Sequence, residues 1–242
     1  NDEGVVPRAC REVFTIVERE KERFTFTVTI HMVELYCAKF TDLLIPKSTN
    51  GMKAPEVKVR REKDGSIQLE NAAERQVQSA EGMEKAIETG FNQRQVAATA
   101  MNSESSRSHL VTIVKLTSVN KETKQKTMGK LLMCDLAGCE RIAKSEVTGQ
   151  AQKEAIEINK SLTALGDVIE ALTKAAPGKK VNLSLVPYRN HQLTQLMQDS
   201  LGGTAKTLMF MNCSPSSSNV DETMNSLKYA ERAKKVQNTI KK

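Results

Sequence analysis

The sequence predicts an α/β fold in which a central mixed β-sheet is flanked by helices. Three observations indicate this class: a period-two apolar run from Phe24 to Met32, short continuous apolar runs at residues 130–135 and 207–212, and helical apolar spacing in the segments around them. The length of 242 residues and the 39% apolar content suffice for one large domain. We therefore expect a single domain over residues 1–242.

The first half of the chain alternates between helical and strand patterns. Residues 9–22 follow Pro7 and have the apolar spacing of a helix. The strand predicted after them has threonines on the face opposite its apolar side chains. Asp64-Gly65 lies between two alternating runs and predicts a tight hairpin turn, because glycine readily adopts φ > 0. Residues 79–89, closed by Gly90, and residues 94–100 are expected to be two helices.

The second half begins with two predicted strands. Residues 110–119 are rich in β-branched side chains, and residues 130–135 form an apolar run typical of a strand covered on both faces. Helical spacing then predicts helices at residues 156–173, 190–201 and 221–237, the second of them ended by Gly202-Gly203. Residues 207–212 are expected to form a further buried strand.

Composition excludes several classes of protein. No run approaches the ~18 apolar residues of a membrane-spanning helix, and the five scattered cysteines form no Cys-x-x-Cys pair that would indicate a zinc site. Residues 1–90 hold 14 basic and 16 acidic residues, whereas residues 91–242 hold 22 and 13. The basic second part favours an acidic partner, although a solvated basic face explains the same charge equally well.

Two short polar segments stand at the ends of predicted strands. NSESSRSH (residues 102–109) places serine hydroxyls around Arg107, a combination that suits a phosphate with Mg²⁺ but also suits a capping turn. DLAGCER (residues 135–141) follows an apolar strand, where Asp135 could hold Mg²⁺ through a water and Gly138 could bring its N–H close to a phosphate. An ordinary turn with a capping aspartate explains the second segment as well.

Both segments resemble motifs of the kinesin motor domain, and the resemblance continues along essentially the whole chain. NSESSRSH is similar to the family's switch I and DLAGCER to its switch II, with Cys139 in place of the usual serine. Residues 156–173 resemble the switch II helix, and residues 236–242 resemble the start of the neck linker. The segments MVELY and SNVDETMNSLKYA are most similar to the minus-end-directed, calmodulin-binding kinesins. The resemblance implies a P-loop NTPase-like fold.

One motif of that family does not occur in these 242 residues. The chain starts near the family's G-I-I-P-R segment, here GVVPR, and holds no G-x-x-x-x-G-K-[ST] phosphate loop. GGTAKT at residues 202–207 is the nearest approximation, and we interpret its glycines as a helix end. We therefore expect a partial motor domain without the N-terminal strands and the P-loop, with weak or absent binding of ATP or ADP and Mg²⁺.

The resemblance implies a role for each matching residue of the switches. Arg107 and Glu140 would form a salt bridge between the switches, and Asn102 would help to order the attacking water. Gly138 would sense the γ-phosphate, and Asp135 would hold Mg²⁺ through a water. Ser105 and Ser106 would lie beside the phosphate, with Ser106 on the metal.

The resemblance also implies a basic face toward tubulin, made of Lys144, Lys160, Lys179, Lys180 and Arg189. Gln192 stands where many kinesins have lysine. The expected partner is the microtubule in the cytoplasm, with no nucleic acid, no membrane and possible homodimerisation through regions outside this chain. Two functions remain open: part of an ATP-hydrolysing motor, or a kinesin-derived microtubule-binding module that does not hydrolyse ATP.

Overall fold

The computed structural model describes residues 3–45, 55–101, 107–138, 150–174, 181–236 and 238, without the side chains of residues 96–101 and 150–155. The described helices and strands are, in chain order, α1 (Val5–Glu20), β1 (Phe24–Tyr36), β2 (Lys39–Asp42), β3 (Lys58–Arg61), β4 (Ile67–Glu70), β5 (Arg75–Val77), α2 (Ala80–Met101), β6 (His109–Asn120), β7 (Lys126–Asp135), α3 (Gln150–Thr173), α4 (Gln192–Leu196) and α5 (Val220–Lys234). The contacts divide the chain into two compact units, residues 1–58 with 71–137 and residues 59–70 with 138–242.

The first unit is built on an antiparallel sheet with the strand order β2-β1-β6-β7, in which β5 also pairs with β1. Val28, Ile30 and Met32 of β1 point to one face and are buried with side chains of α1 and α2. The period-two pattern correctly predicted this face. The opposite face is buried as well from Val28 to Val33, so Thr29 and His31 lie inside rather than at a polar surface.

Helix α2 runs unbroken through Gly90, so the prediction of two helices separated there is wrong. A Cβ atom on Gly90 would lie 2.1 Å from the Sδ of Met32, whose side chain is buried in the core. The glycine therefore serves close packing of α2 onto β1 rather than helix termination, and a local sequence pattern does not distinguish these two uses.

The described residues of the second unit form the β3–β4 hairpin and the helices α3, α4 and α5. The hairpin was correctly predicted: Gly65 has φ +86°, and the Asp64 carboxylate accepts a hydrogen bond of 2.9 Å from the Ser66 N–H. Helix α3 begins earlier than expected and buries Leu165, Val168, Ile169 and Leu172. Helix α5 agrees with the prediction to within three residues at its end.

The helix expected at residues 190–201 is shorter than predicted. A 3₁₀ turn at Tyr188–Asn190 precedes α4, and turns follow α4 until Gly202, which has φ +77°. The turn around Tyr188 is fixed by a side chain, because the Thr194 Oγ1 lies 2.6 Å from the carbonyl oxygen of Tyr188 and 2.8 Å from that of His191.

Residues 207–212 form no strand, which corrects the prediction made from their apolar run. Leu208 is 78% exposed and Phe210 is 66% exposed, so the expected burial is absent too. A strand needs a neighbour for its backbone hydrogen bonds, and no described strand pairs with this segment. Residues 130–135 do form a strand within β7, but it is only half-buried rather than covered on both faces.

His191 caps α4 with its side chain. Its Nδ1 accepts a hydrogen bond of 3.1 Å from the Leu193 N–H, which only an unprotonated Nδ1 can do. The pKa of His191 is lowered, mainly because the ring is buried, and the charge of Lys160 lowers it further while that of Glu157 opposes the shift. Burial likewise lowers the pKa of His31, with a contribution from Lys115.

The close contact at Gly90 predicts the effect of an added methyl group. Gly90→Ala should lower the free energy of unfolding by up to about 2 kcal/mol, because overpacking a core costs ~1–3 kcal/mol and alanine returns ~1 kcal/mol of helix propensity. Urea denaturation measures the change. Gly82→Ala in the same helix is the control, since its Cβ would meet only the Ser79 Oγ at 3.5 Å, and it should not destabilise. Equal effects of both substitutions would contradict the packing role of Gly90.

The capping histidine predicts a loss of stability in mild acid. In the unfolded chain a histidine has its ordinary pKa of about 6.5, whereas the folded state resists protonation of His191. The stabilisation is therefore complete above about pH 6.5 and decreases as the pH falls through that value toward the lower folded-state pKa. His191→Asn, which keeps a capping oxygen that does not titrate, should reduce the difference in unfolding free energy between pH 7 and pH 5.

Asn182 supplies the control for this measurement, because its side chain caps the 3₁₀ turn Leu183–Leu185 by accepting a hydrogen bond from Ser184 and does not titrate. Asn182→Ala should lower stability by about 1 kcal/mol at every pH. If the pH profile of His191→Asn coincided with that of the unmodified protein, the capping histidine would not contribute to the acid response. His31 remains in both variants and contributes to the residual slope, because its pKa is lowered as well.

Candidate functional site

The two segments singled out in the sequence meet where β6 begins and β7 ends. Antiparallel pairing aligns Leu110 with Asp135, so the residues that enter β6 lie beside those that leave β7. The Ala137 N–H donates a hydrogen bond of 3.0 Å to the Nδ1 of His109, and both residues are buried. The structure thus brings the end of residues 102–109 into direct contact with the start of residues 135–141.

Asp135 occupies the position that the sequence indicated, at the carboxyl end of a strand. Its side chain is 76% exposed, so its oxygens are accessible to water. One carboxylate acting through water is typical of Mg²⁺ sites, which retain several waters and bind few protein ligands. Among the described residues no cluster of three or more His, Cys, Asp or Glu side chains could hold a metal by itself. The exposed carboxylate therefore fits a magnesium ion that also binds phosphate.

The structure describes only two of the other residues predicted for this site. Arg107 is half-buried immediately before β6, and Gly138 is half-buried and belongs to the second compact unit. Asn102, Ser105, Ser106 and Glu140 lie outside the described residues. The salt bridge between Arg107 and Glu140 and the hydroxyl contacts to phosphate and metal therefore stay predictions.

Beside Asp135 lies a charged cluster that sequence reasoning missed. Arg94 of α2 donates through Nε to the Oε1 of Glu34 at 3.2 Å, and the Ser108 hydroxyl donates to the same oxygen at 2.6 Å. Arg94 Nη2 also lies 3.2 Å from the Ser108 Oγ and 3.4 Å from its carbonyl oxygen. Arg94 Nη1 is 3.9 Å from the Asp135 Oδ2.

One sequence signal could have found this cluster. Glu34 interrupts the apolar run of β1, and a carboxylate in a strand buried on both faces requires a cationic or hydrogen-bonding partner. The identity of that partner, 60 residues further along the chain, is not visible in any local pattern.

Cys134 precedes Asp135 in β7, and its thiol is not suited to nucleophilic chemistry. Burial, together with the neighbouring Asp135 carboxylate, raises the pKa of Cys134 to about 12. The thiol is therefore protonated at neutral pH, and the chemistry at this edge of the sheet depends on charge and hydrogen bonding.

The predicted basic face is described at two of its five positions, both in the second unit. Lys160 projects from α3 and pairs with Glu157 one turn earlier, and Arg189 is exposed on the turn that Thr194 fixes. Helix α3 packs against this turn and against α4. Lys144, Lys179 and Lys180 lie outside the described residues.

The start of the predicted neck linker is described at Val236 and Asn238. The Asn238 side-chain Oδ1 accepts a hydrogen bond of 2.7 Å from the Gly202 N–H, and its Nδ2 donates to the carbonyl oxygens of Ser200 and Ala205, each at 2.8 Å. Asn238 is therefore tied to the turn that follows α4. The remaining residues up to 242 lie outside the described part, as does Gln237.

No helix in the part of the chain that the structure describes is long and apolar enough to cross a bilayer.

Comparison with known proteins identifies the family. The model of the kinesin motor domain matches residues 1–236. The kinesin-like protein KIN-14E of Arabidopsis thaliana is 46% identical over 235 residues, which are 97% of this chain and 18% of that protein. The chain thus spans about a fifth of this relative, whose KIN-14 name agrees with the minus-end-directed group expected from the sequence. Calmodulin binding stays a prediction.

Two solved structures share the fold over nearly the whole chain. A structure of a fast kinesin, reported with implications for its ATPase mechanism and microtubule interactions, is 39% identical with a TM-score of 0.86 and is covered to 64% by 99% of this chain. A KIF14 dimer bound with AMP-PNP to a microtubule is 35% identical, also with a TM-score of 0.86, and is covered to 66%. These matches confirm the predicted fold class, and the chain belongs to the kinesin motor domain family.

Proposed function

We propose that this chain supplies the nucleotide-sensing and microtubule-binding part of a kinesin motor that couples ATP hydrolysis to movement along microtubules in the cytoplasm. The observation that carries the proposal is the direct contact between the end of residues 102–109 and the start of residues 135–141, made by the hydrogen bond from Ala137 to His109. Two segments that respond to one phosphate need such a contact if they are to move together.

Within this proposal each residue of the site has a distinct task. Asp135 holds a magnesium ion through water, and Ser106 adds a hydroxyl ligand. Gly138 presents its N–H to the terminal phosphate beside Ser105. Mg²⁺, when bound, offsets the negative charge of the β and γ phosphates.

Arg107 and Glu140 close the site as a salt bridge between the two segments, and Asn102 orients the attacking water. A partly buried ion pair contributes little to stability, so its value lies in forming only when the segments close. Helix α3 transmits the change, because it follows the second segment along the chain and carries Lys160 toward the microtubule.

The basic face is proposed to bind the acidic surface of tubulin through Lys144, Lys160, Lys179, Lys180 and Arg189. The support is that Lys160 and Arg189, the two described members, are both exposed, and that the basic excess of the chain lies in residues 91–242. Homodimerisation is proposed to involve regions outside this chain.

We also propose an alternative function, carried by the exposure of Lys160 and Arg189 rather than by the nucleotide site. A microtubule-binding module without hydrolysis of its own would need only the basic face. Binding of a fluorescent ATP analogue separates the two functions, because micromolar affinity with turnover excludes the second.

The proposed microtubule face predicts a specific loss of affinity. The double substitution Lys160→Ala and Arg189→Ala should weaken co-sedimentation with microtubules roughly five- to twentyfold at low salt, since each surface charge contributes up to ~1 kcal/mol. Lys121→Ala with Lys126→Ala removes the same charge from the first unit and should change the affinity much less. Equal losses for the two pairs would show that only net charge matters, and failure of the unmodified protein to pellet would reject the face altogether.

The proposed salt bridge predicts a catalytic defect that a charge swap should repair. In a chain that carries these residues together with a phosphate-binding loop, Arg107→Ala or Glu140→Ala should lower microtubule-stimulated ATP hydrolysis by about 10²-fold or more, because the attacking water is no longer positioned. Arg107→Glu combined with Glu140→Arg should recover part of that rate. Steady-state hydrolysis measures the effect, and unchanged rates in the single variants would refute the assignment.

A further inference from the structure

The charged cluster beside Asp135 lies at the end of a largely apolar face of the sheet. Met32 and Glu34 lie two residues apart in β1 and therefore point to the same side, toward α2. The register pairs Glu34 with Leu110 and Leu110 with Asp135, so these three residues form one row across β1, β6 and β7. The row joins a buried carboxylate at one end to an exposed carboxylate at the other.

Arg94 lies between these two carboxylates and is closer to Glu34 than to Asp135. Its Nε contacts Glu34 at 3.2 Å, whereas its Nη1 is 3.9 Å from Asp135, at the limit of an ion pair. The side chains of Arg94 and Glu34 are only 10% and 14% exposed, whereas that of Asp135 is 76% exposed. Charges attract more strongly where water is excluded, so the guanidinium is held mainly on the Glu34 side.

Ser108 completes this arrangement. Its hydroxyl donates to Glu34 and lies within reach of Arg94 Nη2, and its carbonyl oxygen lies near the same nitrogen. The three residues form a closed ring of hydrogen bonds, in which loss of one member weakens the other two. The ring restrains the orientation of the Arg94 guanidinium, and with it the position of Nη1 relative to Asp135.

We propose that Glu34 is a positioning residue for the nucleotide site: by holding Arg94 against Ser108, it prevents full pairing of Arg94 with Asp135 and leaves that carboxylate open to a metal-bound water. The inference rests on the role of Asp135 in the proposed function. A buried ion pair adds little net stability, which makes a positioning role the better explanation for keeping these charges inside.

The test first removes the charge of Glu34 and then removes Arg94, the side chain that would compete with the metal-bound water for Asp135. In a chain that carries these residues together with a phosphate-binding loop, Glu34→Gln releases Arg94 toward Asp135. It should raise the Mg²⁺ concentration for half-maximal ATP hydrolysis roughly two- to fivefold, as expected for competition from one partly exposed ion pair. Adding Arg94→Gln to this variant should return the Mg²⁺ requirement to its original value.

The alternatives give different results. A merely structural role would lower stability without changing the Mg²⁺ requirement, and a requirement that stayed high in the double variant would show that Arg94 is not the competitor; either result overturns the proposal. Glu84→Gln is the control for loss of a carboxylate, because Glu84 is also paired with an arginine, Arg11, but lies on the outer part of α2. It should leave the requirement unchanged.

The distance between Arg94 and Asp135 provides a readout that does not depend on ATP hydrolysis. In a crystal structure of the Glu34→Gln variant, a terminal nitrogen of Arg94 should lie within hydrogen-bonding distance of Asp135, and a separation still near 3.9 Å would overturn the proposal. If Glu34→Gln does not fold, Ser108→Ala opens the same ring and should shift Arg94 in the same direction, whereas Ser108→Thr retains the hydroxyl and should not. Absence of hydrolysis would count against the proposed function and leave this structural comparison decisive.

Discussion

The double pairing of β6, with β1 on one side and β7 on the other, is the constraint on which the candidate site depends. It places Glu34, Leu110 and Asp135 in one row and brings the entry of β6 against the exit of β7. A slip of one residue in either register would turn the side chains of the moved strand to the opposite face. The apolar side chains of β1 and β6 that are buried with α2 exclude such a slip, so the core fixes the geometry of the polar edge.

The packing of α2 connects the core to the same edge. Gly90 and Arg94 are four residues apart and share a helix face, just as Met32 and Glu34 share a strand face. Because Gly90 has no side chain, α2 can approach Met32 closely, and Arg94 then reaches Glu34 and Ser108. Gly90 and Arg94 thus belong to one contact between α2 and the sheet. Gly90 allows the close packing, and Arg94 reaches the candidate site.

The second unit presents Arg189 on a surface turn that side-chain hydrogen bonds hold in place. Thr194 ties the turn at Tyr188 from within, His191 caps α4, and Tyr188 is buried with its hydroxyl donating to the carbonyl oxygen of Leu201. Arg189 is exposed on this turn, whose carbonyl groups at Tyr188 and His191 accept hydrogen bonds from Thr194. Asn238 is tied to the turn after α4, so the segment that follows α5 starts from a defined point in this unit.

Sequence patterns alone were enough to predict the fold class, the family, the β3–β4 hairpin and the position of Asp135 at the end of a strand. These features follow from apolar period, turn chemistry and contiguous motifs, which are local properties of the chain. Three features became visible only in the folded chain: Gly90 lies inside a helix, residues 207–212 pair with no described strand, and Glu34, Arg94 and Ser108 meet. Each of these depends on atoms far apart in the chain, because close packing, strand pairing and buried ion pairs are set by whichever neighbour the fold supplies.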